Sequence, residues 1–468
     1  VNIGNTIRDL TARFIAEAGA SVTVRDKNSS EELAPSIAAL AHFPNIRFVL
    51  GTHEIGDFKS ADCVIKNPGV KLQGNEYLEA ARSIETDISV CLRLSKSPVI
   101  AVTGSKGKSS TVSALHFGLR ETGFRSYLGG NITVSPLTFI DELDSTTPVV
   151  LELSSWQLAD LRGRGLLKPR VAVLTPVMPD HQNWYGGMEP YVADKKLIYA
   201  DADDSCHLLC NADDEWGPVF ARESIARGKN GPRVHWYSGK PLAGRALPAA
   251  NANGATDTSS ATEPEGAWLE ADGRGFMRLD GKTFEILPAH LSVPGSHMRQ
   301  NLLNAAQAIV LFGADPEKTS EALSRFPGIE HRLEFFHEEK GIRFYNDSAA
   351  TIPEAVAAAL DSFEKPVILL TGGTDKNLDF TPLAEAAHRA KRILLLQGSG
   401  TDKLIPMLKE RSIPFEGPFP GLKELVERAR SEAKPGDTIV FSPGATSFGM
   451  FKNEFDRGNR FRDAVKGN

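Results

Sequence analysis

The chain has 468 residues, of which 41% are hydrophobic and 24% are charged, and this balance is typical of globular proteins. Its formal net charge of -6 argues against a general nucleic-acid binder, because affinity for a phosphate backbone needs a basic surface. No apolar run approaches the roughly 20 residues of a membrane helix, so we expect a cytoplasmic protein without membrane or nucleic-acid partners.

The first block, residues 1–97, alternates short apolar runs with helical patterns. TIRDLTARFIAEAG is typical of an amphipathic helix, and SVTVRD and DCVIKNPGV are typical of strands. The alternation predicts parallel strands joined by crossover helices. Asp26 follows a predicted strand, where a Rossmann-like fold contacts a ribose or a base, although a helix cap or a surface acid fits equally well. The opening VNIGN lacks a Gly-x-Gly-x-x-Gly fingerprint, so this nucleotide-binding turn is predicted to be altered or missing.

The second block, residues 98–328, begins with PVIAVTGSKGKSSTVSAL, which predicts a strand, a glycine turn and a helix. Together they form an anion site, because free backbone N–H groups and the helix dipole point at the ligand. Val102 occupies the place of the first glycine in the common phosphate-loop pattern. Lys108 would supply charge to the outer phosphates, and the Ser109 hydroxyl can reach magnesium. The predicted phosphate contacts are Gly104, Ser105, Lys106, Gly107, Lys108, Ser109 and Ser110.

Four further polar residues in this block have ordinary structural interpretations on the residues alone. Glu152 lies near the end of an apolar strand in VVLELSSWQL, where either a magnesium carboxylate or a surface acid would sit. His181 in PDHQNW is, on the residues alone, a structural hydrogen-bonding group. Lys195 and Lys196 in YVADKKLIYADA have the pattern of a solvated helix face.

The remainder of the second block offers little sign of chemistry. Cys206 and Cys210 flank His207 in CHLLC, which could suggest a metal, but the apolar stretch favours a buried strand. The chain has only four cysteines, too few for a disulfide scaffold. Residues 249–266 are small and polar, and they predict a surface insertion or a mobile loop.

The third block, residues 329–468, alternates apolar strands with helices again. The strands in GIRFYNDS, KPVILLTGG and DTIVFSPG end in Gly, Ser, Thr and Asp. This pattern predicts a doubly wound sheet whose ligand loops lie at the carboxyl ends of the strands. The segment PGIEHR, residues 327–332, is predicted to be a hinge linker.

The order of these motifs resembles that of the Mur ligases of peptidoglycan synthesis. The matching segments cover nearly the whole chain: TGSKGKSS, GGN at 129–131, ELSSWQL, DH at 180–181, Lys195 before LIY, GSHMRQNLLNA, EHR, NDSAAT and SPGATSFGMFKN. The resemblance implies an α/β protein of three domains. These are a Rossmann-like domain for the UDP end over 1–97, a P-loop-type ATPase with a mostly parallel sheet over 98–328, and a Rossmann-like amino-acid domain over 329–468.

The resemblance also implies a reaction, in which ATP activates a carboxylate so that an amine can form a peptide bond. A carboxylate is a poor acyl donor because its leaving group would be oxide, whereas an acyl phosphate leaves as phosphate. ELSSWQL, NDS, GGTDK and the SP to FKN segment favour the members that add D-glutamate to UDP-N-acetylmuramoyl-L-alanine. The alternatives are another amino-acid ligase of the family and a nucleotide-binding protein that has lost catalysis.

By resemblance, the catalytic residues are Lys108, Glu152, His181 and Lys195. Two magnesium ions are implied, with Ser109, Glu152, His181 and Lys195 as the metal-binding positions. A free lysine would repel magnesium, but in the family the matching lysine is carbamylated and becomes an anionic oxygen donor. Lys195 is preferred to Lys196 because it precedes LI at the family spacing.

The same comparison implies the substrate contacts. The base and ribose of ATP match Asn301, Arg332 and Asp347. The UDP substrate matches Asp26, Asn67, Pro68, Gly69, Asn131 and Gln157. D-glutamate matches Thr351, Lys376, Ser447 and Phe448, although Lys376 also fits an ordinary surface charge. Ala349 stands where many relatives have lysine, which would leave more of the amino-acid binding to Lys376. We expect a monomer whose partners are UDP-N-acetylmuramoyl-L-alanine and D-glutamate.

Overall fold

The computed structural model describes residues 6–132, 134–250, 256–257 and 264–467. The chain divides into two compact units. The first comprises Val1–Ala289 and Asn301–Leu323, and the second comprises His290–Gln300 and Ser324–Asn468. In the described ranges, no helix is both long and apolar enough to cross a membrane.

The first unit begins with two small parallel sheets. Its elements here are α1 (Thr6–Glu17), β1 (Val22–Asp26), α2 (Ala34–Leu40), β2 (Ile46–Leu50), α3 (Ile55–Ser60), β3 (Val64–Ile65), α4 (Glu76–Glu79), β4 (Ile84–Glu85) and α5 (Asp87–Leu94). β1 pairs with β2 and β3 pairs with β4, each in parallel. Ala12 and Ala16, four positions apart on α1, pack with Val22 and Val24, two positions apart on β1. The predicted parallel pairing is confirmed, whereas VNIGN lies outside the described residues.

The first unit continues into a nine-stranded sheet. Its elements are β5 (Val99–Thr103), α6 (Lys108–Glu121), β6 (Tyr127–Gly130), β7 (Val149–Glu152), α7 (Ser155–Asp160), β8 (Val171–Leu174), α8 (Gln182–Tyr185), α9 (Met188–Lys196), β9 (His207–Asn211), α10 (Gly217–Ala226), β10 (Arg233–Ser238), β11 (Ala249–Ala250), β12 (Thr256–Asp257), β13 (Gly266–Leu269), β14 (Gly275–Leu279), β15 (Lys282–Leu287), α11 (Ser296–Phe312) and α12 (Pro316–Ser324). The strand order is β15-β14-β13-β10-β9-β8-β5-β7-β6. Only the β13–β14 and β14–β15 pairs are antiparallel.

The middle of this sheet explains the apolar runs of the sequence. β7 and β8 are buried along their whole length, as expected of central parallel strands covered on both faces. CHLLC does form a buried strand, β9, and Cys206 and Cys210 are free thiols within the core. The polar segment 249–266 falls largely outside the described residues. The carboxyl ends of β5, β7 and β8 lie at one edge, where ligand loops are expected.

The second unit is a six-stranded sheet covered on both faces. Its elements are β16 (Glu334–Glu339), β17 (Ile342–Asn346), α13 (Pro353–Asp361), β18 (Ile368–Thr371), α14 (Thr381–Ala386), β19 (Arg392–Leu396), α15 (Ser399–Glu410), β20 (Glu416–Phe419), α16 (Leu422–Glu432), β21 (Thr438–Phe441) and α17 (Glu454–Lys466). The order is β16-β17-β21-β18-β19-β20, with only β16 antiparallel. Separate apolar clusters cover the two faces. The predicted α/β class with mostly parallel sheets is confirmed, whereas the domain boundaries at 97/98 and 328/329 stay predictions.

Candidate active site

The phosphate loop joins β5 to α6 and depends on two glycines. Gly104 has a φ of +152°, and a Cβ there would lie 1.9 Å from Thr175 Oγ1 just after β8. Gly107 has a φ of +85°, and a Cβ there would lie 2.4 Å from Asn301 Oδ1 on α11. Neither position can hold a larger residue without displacing its neighbour. The loop therefore lies directly on the sheet edge with Asn301 against it, while the predicted contact of Asn301 with ATP stays a prediction.

Lys108 begins α6 and turns back over this loop. Its Nζ donates to the carbonyl oxygens of Gly104 at 3.0 Å and Ser105 at 3.1 Å. Burial lowers the pKa of the Lys108 ammonium, while the carboxylate of Glu152 acts in the opposite direction. Ser109 and Ser110 follow in the first turn of α6, where backbone N–H groups lack helical partners. The loop thus combines the lysine, hydroxyl and N–H groups that an outer phosphate needs.

Lys195 is buried against the same loop, with only 1% of its surface exposed. Its Nζ donates to the Gly104 carbonyl oxygen at 2.7 Å and lies 4.3 Å from the centre of the Tyr191 ring. That carbonyl oxygen accepts from both Lys195 and Lys108. Burial, and next the repulsion from Lys108, lower the pKa of Lys195 to about 7. The interpretation of Lys195 as a solvated lysine is wrong.

Lys196 has a different environment. Its half-buried ammonium donates to Glu223 Oε1 at 2.5 Å. Consecutive residues on a helix point in directions roughly 100° apart, so only one of the two lysines can face the phosphate loop. The structure places Lys195 in that position.

Glu152 ends β7 as a buried acid with 1% of its surface exposed, so the interpretation as a surface acid is wrong. Asn131 Nδ2 donates to Glu152 Oε1 at 2.8 Å. The second oxygen, Oε2, is buried and has no hydrogen-bond partner among the residues that the structure describes. An unpartnered buried carboxylate oxygen is costly unless a ligand meets it. Gln157 lies on the following helix, where its Oε1 accepts from the Ser154 N–H at 2.9 Å and so caps α7.

His181 precedes α8 and adopts a left-handed backbone conformation, with a φ of 52°. Non-glycine residues in this region are uncommon and concentrate at functional sites. Its imidazole is exposed, and its ring centre lies 5.0 Å from that of Trp156. The preceding residue, Asp180, forms an ion pair with Lys106 of the phosphate loop, at 3.3 Å. The DH pair is therefore held beside the loop.

The donors at this edge suit magnesium better than a transition metal. Among the described residues, no cluster of three or more His, Cys, Asp or Glu side chains can hold a metal ion. Magnesium usually takes one or two carboxylates and completes its shell with phosphate and water. Glu152, with its free Oε2, and the Ser109 hydroxyl fit that donor set. His181 and the unmodified Lys195 are less suitable ligands.

The N-terminal region contains a cleft of about 560 Å³. Asp26 and Asn67 are in its wall, and the Asn67 Oδ1 accepts from the Gly69 N–H at 3.1 Å across the turn at Pro68. Asp26 is buried and accepts from the Asn28 N–H at 3.0 Å, so it is neither a surface acid nor a helix cap. Sequence reasoning missed the aromatic wall of His53, Phe58 and Tyr77, because these residues come from different elements.

Two ionic contacts hold this cleft next to the nine-stranded sheet. Lys66 Nζ lies 2.8 Å from Asp160 Oδ2, with both groups largely buried. Arg164 donates to Glu85 Oε2 at 2.8 Å and to the Ile84 carbonyl oxygen at 2.6 Å. The first contact joins the residue after β3, and the second joins β4, to the region that follows β7. They fix where the cleft lies relative to Glu152.

In the second unit, Asp347 follows β17 and is buried. Its Oδ1 accepts from the Leu333 N–H at 3.0 Å, and its Oδ2 accepts from Ser442 Oγ at 2.6 Å. Burial raises the pKa of Asp347 to about 7. The neighbouring Arg332 is exposed. In this structure Asp347 anchors two loops, and its predicted ribose contact stays a prediction.

The residues predicted for D-glutamate lie on loops at the carboxyl ends of the same sheet. Thr374 and Thr446 pair through their backbones and join the loop after β18 to the loop after β21. Lys376 is exposed on the first loop, and the second loop carries buried Ser447 and exposed Phe448. Thr351 is half-buried on the loop after β17. The sheet thus gathers these side chains at one edge.

Arg457 was missed by the sequence reasoning, although FKNEFDRG contains it. Its buried guanidinium donates to Ser348 Oγ at 3.0 Å, the Ser348 carbonyl oxygen at 2.8 Å and the Ala445 carbonyl oxygen at 2.9 Å. One side chain of α17 therefore ties together the loops after β17 and β21. A pattern search for catalytic groups does not reveal it, because its acceptors are two backbone carbonyl oxygens and one serine hydroxyl.

Arg457→Met is expected to destabilise the second unit by about 3 kcal/mol, because buried acceptors lose their donors at roughly 1–3 kcal/mol each. Calorimetry should show a lower melting temperature, and hydrogen–deuterium exchange should accelerate in residues 347–351 and 443–449. Arg460→Met is the matched control, because Arg460 is half exposed on the same helix and its contacts, an i,i+4 pair with Asp456 and a cation–π contact with Phe451, lie at the surface. Equal exchange in the two variants would show that other contacts hold the loops.

Comparison with known families identifies most of the chain. Residues 102–309 match the Mur ligase middle domain, and residues 331–444 match the glutamate ligase domain of Mur ligases. A UDP-N-acetylmuramoylalanine–D-glutamate ligase from Treponema pallidum (strain Nichols) is 44% identical over 97% of this chain and 94% of its own length. The ligase of the same name from Roseiflexus sp. (strain RS-1) is 38% identical over 97% of this chain and 95% of its own length.

Solved structures support the fold. The UDP-N-acetylmuramate-alanine ligase MurC from Thermotoga maritima aligns with a TM-score of 0.56 at 19% identity, covering 100% of this chain and 98% of that chain. MurF from Acinetobacter baumannii aligns with a TM-score of 0.57 at 12% identity, covering 99% of both chains. At these identities the likeness concerns the fold alone.

Proposed function

The chain belongs to the Mur ligase family, and from this premise we propose that it joins D-glutamate to UDP-N-acetylmuramoyl-L-alanine at the expense of ATP. Relatives with this activity in their names align with 97% of the chain at identities of 44% and 38%. The observation that carries the proposal within the structure is the convergence of Lys108 and buried Lys195 on the Gly104 carbonyl oxygen. Glu152, with an unpartnered oxygen, lies near Lys108.

The reaction requires two anions to meet. The alanine carboxylate of the substrate attacks the terminal phosphate of ATP, ADP leaves, and an acyl phosphate forms. The amine of D-glutamate then attacks the acyl carbon and releases phosphate. Lys108 and the N–H groups at the start of α6 hold the transferred phosphate and offset its charge. The carboxylate of Glu152 would hold magnesium with Ser109, and the bound metal would further neutralise the phosphates.

We further propose that Lys195 is carbamylated, with His181 close to a second magnesium ion. The neutral amine attacks carbon dioxide, one N–C bond forms, and one proton leaves to solvent. This needs an unprotonated amine, which burial and Lys108 favour by lowering the pKa of Lys195 to about 7. The product is an anionic oxygen donor in place of a cation, and its charge would be balanced by Lys108 and magnesium.

The remaining contacts follow the same proposal. Asn301, Arg332 and Asp347 serve the base and ribose of ATP. The cleft at Asp26 and Asn67 takes the uridine end, while Asn131 and Gln157 lie toward the muramoyl-alanine end. Thr351, Lys376, Ser447 and Phe448 receive D-glutamate, whose two carboxylates call for a cation such as Lys376. We also propose that the enzyme acts as a monomer in the cytoplasm, where ATP is available.

The test is phosphate release from ATP with UDP-N-acetylmuramoyl-L-alanine and one amino acid at a time: D-glutamate, L-glutamate, L-alanine, L-lysine or diaminopimelate. Release with D-glutamate alone, together with the ligated product, is the expected result. Release with another amino acid would support the ligase chemistry but assign a different amino-acid substrate. Ala349 makes this test necessary, because many relatives have lysine at that position. ATP binding without release in any mixture would favour a protein that has lost catalysis.

A further inference from the structure

A row of side chains connects the N-terminal cleft with the phosphate-transfer site. Lys71 Nζ lies 5.5 Å from the centre of the Trp184 ring. The Trp184 and Trp156 ring centres are 5.0 Å apart, and those of Trp156 and His181 are also 5.0 Å apart. None of the proposed roles uses Lys71, Trp184 or Trp156.

Lys71 lies next to the cleft in the chain. It comes directly after Val70, a residue of the cleft wall, and it is exposed. Within the described ranges its ammonium forms no ion pair, and the indole of Trp184 is its one recorded cation–π partner. Lys66, five residues earlier, is instead committed to Asp160 and to the carbonyl oxygens of Asn67 and Val70. Lys71 is therefore a cation available to an anion that leaves the cleft.

Trp184 is held in place by α8 and its aromatic neighbours. Its backbone N–H donates to the His181 carbonyl oxygen at 2.9 Å, which couples its position to that of His181. The indole is half-buried, so one part of the ring is supported by Trp156 and another part is open. A supported but accessible indole offers a rigid apolar surface at a low entropic cost.

We infer that Lys71 and Trp184 form the middle subsite of the sugar-nucleotide path, where Lys71 binds the diphosphate and Trp184 packs against the face of the sugar. This inference rests on the proposed function. The substrate must extend from the uridine cleft to Glu152, and the row of contacts at Lys71, Trp184, Trp156 and His181 joins those two places. Its order matches the chemistry of the substrate, with diphosphate nearer the uridine and sugar nearer the reacting carboxylate.

A purely structural role explains the contact between Lys71 and Trp184 less well than a substrate subsite does. A purely structural cation–π contact would contribute little to stability at this exposed position. A diphosphate gives Lys71 a charge-assisted contact while its stem stays on the indole. The carbon face of a hexose can meet the open part of the ring, as apolar groups commonly meet aromatic walls in ligand sites.

Calorimetric titration without ATP or D-glutamate separates the two parts of the subsite. The ligands are uridine, UDP and UDP-N-acetylmuramoyl-L-alanine, and the variants are Lys71→Met, Trp184→Ala and Trp184→Phe. We expect Lys71→Met to weaken UDP and the sugar nucleotide about tenfold and leave uridine unchanged. Trp184→Ala should weaken the sugar nucleotide about tenfold beyond any change for UDP, and Trp184→Phe should lose less. Lys229→Met, at another exposed lysine, is the control.

The outcomes are distinguishable from failure of the proposed function. If the unmodified protein does not bind the sugar nucleotide, the proposed function itself is wrong. If it binds, unchanged affinity of Lys71→Met for UDP overturns the assignment of the diphosphate to Lys71, and unchanged affinity of Trp184→Ala for the sugar nucleotide overturns the assignment of the sugar to Trp184. ATP affinity, measured in parallel, should be unchanged in all variants, which guards against misfolding of Trp184→Ala.

Discussion

Lys195→Ala is expected to reduce phosphate release by at least about a hundredfold, comparable to loss of one charge-stabilising group from an active site. The change removes the amine that lies on the Gly104 carbonyl oxygen. Lys196→Ala should retain activity, because Lys196 pairs with Glu223 instead. Steady-state assays with D-glutamate compare the two variants. Equal activities would remove Lys195 from the reaction.

The dependence of activity on carbon dioxide tests whether Lys195 acts in its carbamylated form. Protein depleted of carbon dioxide should lose activity and regain it with bicarbonate. Because the pKa of Lys195 is about 7 in the fold, the reactive neutral amine decreases as the pH falls below about 7, so recovery should be slower at pH 6 than at pH 8. Short carboxylic acids such as formate should partly rescue Lys195→Ala by replacing the missing carboxylate.

Lys195→Met controls for stability. A buried ammonium is unfavourable, whereas a buried methionine is not. The pKa of Lys195 is about 7 in the folded protein and 10.5 in the unfolded chain. The unfolded chain therefore binds a proton more readily, and Lys195 lowers the free energy of unfolding by an amount that is zero above pH 10.5 and grows as the pH falls toward 7. At pH 7 the Lys195→Met variant should therefore be inactive, and its melting temperature should equal or exceed that of the protein with Lys195. A large drop in melting temperature would point to a structural role.

Glu152→Gln is expected to lower phosphate release by about a hundredfold to a thousandfold. Glutamine can still accept from Asn131, so the hydrogen bond at Oε1 is preserved. The negative charge and the free Oε2 are lost, and both are needed for magnesium. The measurement is phosphate release over a range of magnesium concentrations, accompanied by direct titration of Mn²⁺ in the presence of ADP.

The control for Glu152 is Glu142→Gln, at an exposed acid that pairs with Arg125 on the surface. It should behave as the unmodified protein in both assays. If Glu152→Gln also binds Mn²⁺ with unchanged affinity, the carboxylate does not hold the metal and Glu152 has another role. Unchanged folding of Glu152→Gln is expected, because an amide is easier to bury than a carboxylate.

Much of this arrangement follows from local sequence. The uninterrupted apolar run at β7 predicts a covered parallel strand, and Gly104 and Gly107 predict a tight turn before a helix. Such signals need only neighbours in the chain. They also place Lys108 and Glu152 at the same edge of the sheet, because parallel strands end there together.

Other features depend on distant residues and were not accessible in this way. The local pattern favours a solvated helix face for both Lys195 and Lys196. It does not reveal the burial of Lys195, because that burial comes from the phosphate loop about ninety positions earlier. The hydrogen bonds of Asp347 with the Leu333 N–H and with Ser442 Oγ join positions far apart in the chain, which the NDS motif alone does not indicate. The aromatic row from Trp156 to Trp184 requires α7 and α8 to meet, which no local period specifies.

The guanidinium of Arg457 has a consequence for how the protein is made. It reaches back 109 positions to Ser348, and α17 is the last helix of the described chain. During translation, the loops after β17 and β21 would remain without this donor until α17 emerges from the ribosome. A chain released before residue 457 has left the ribosome would therefore lack the side chain that joins these two loops.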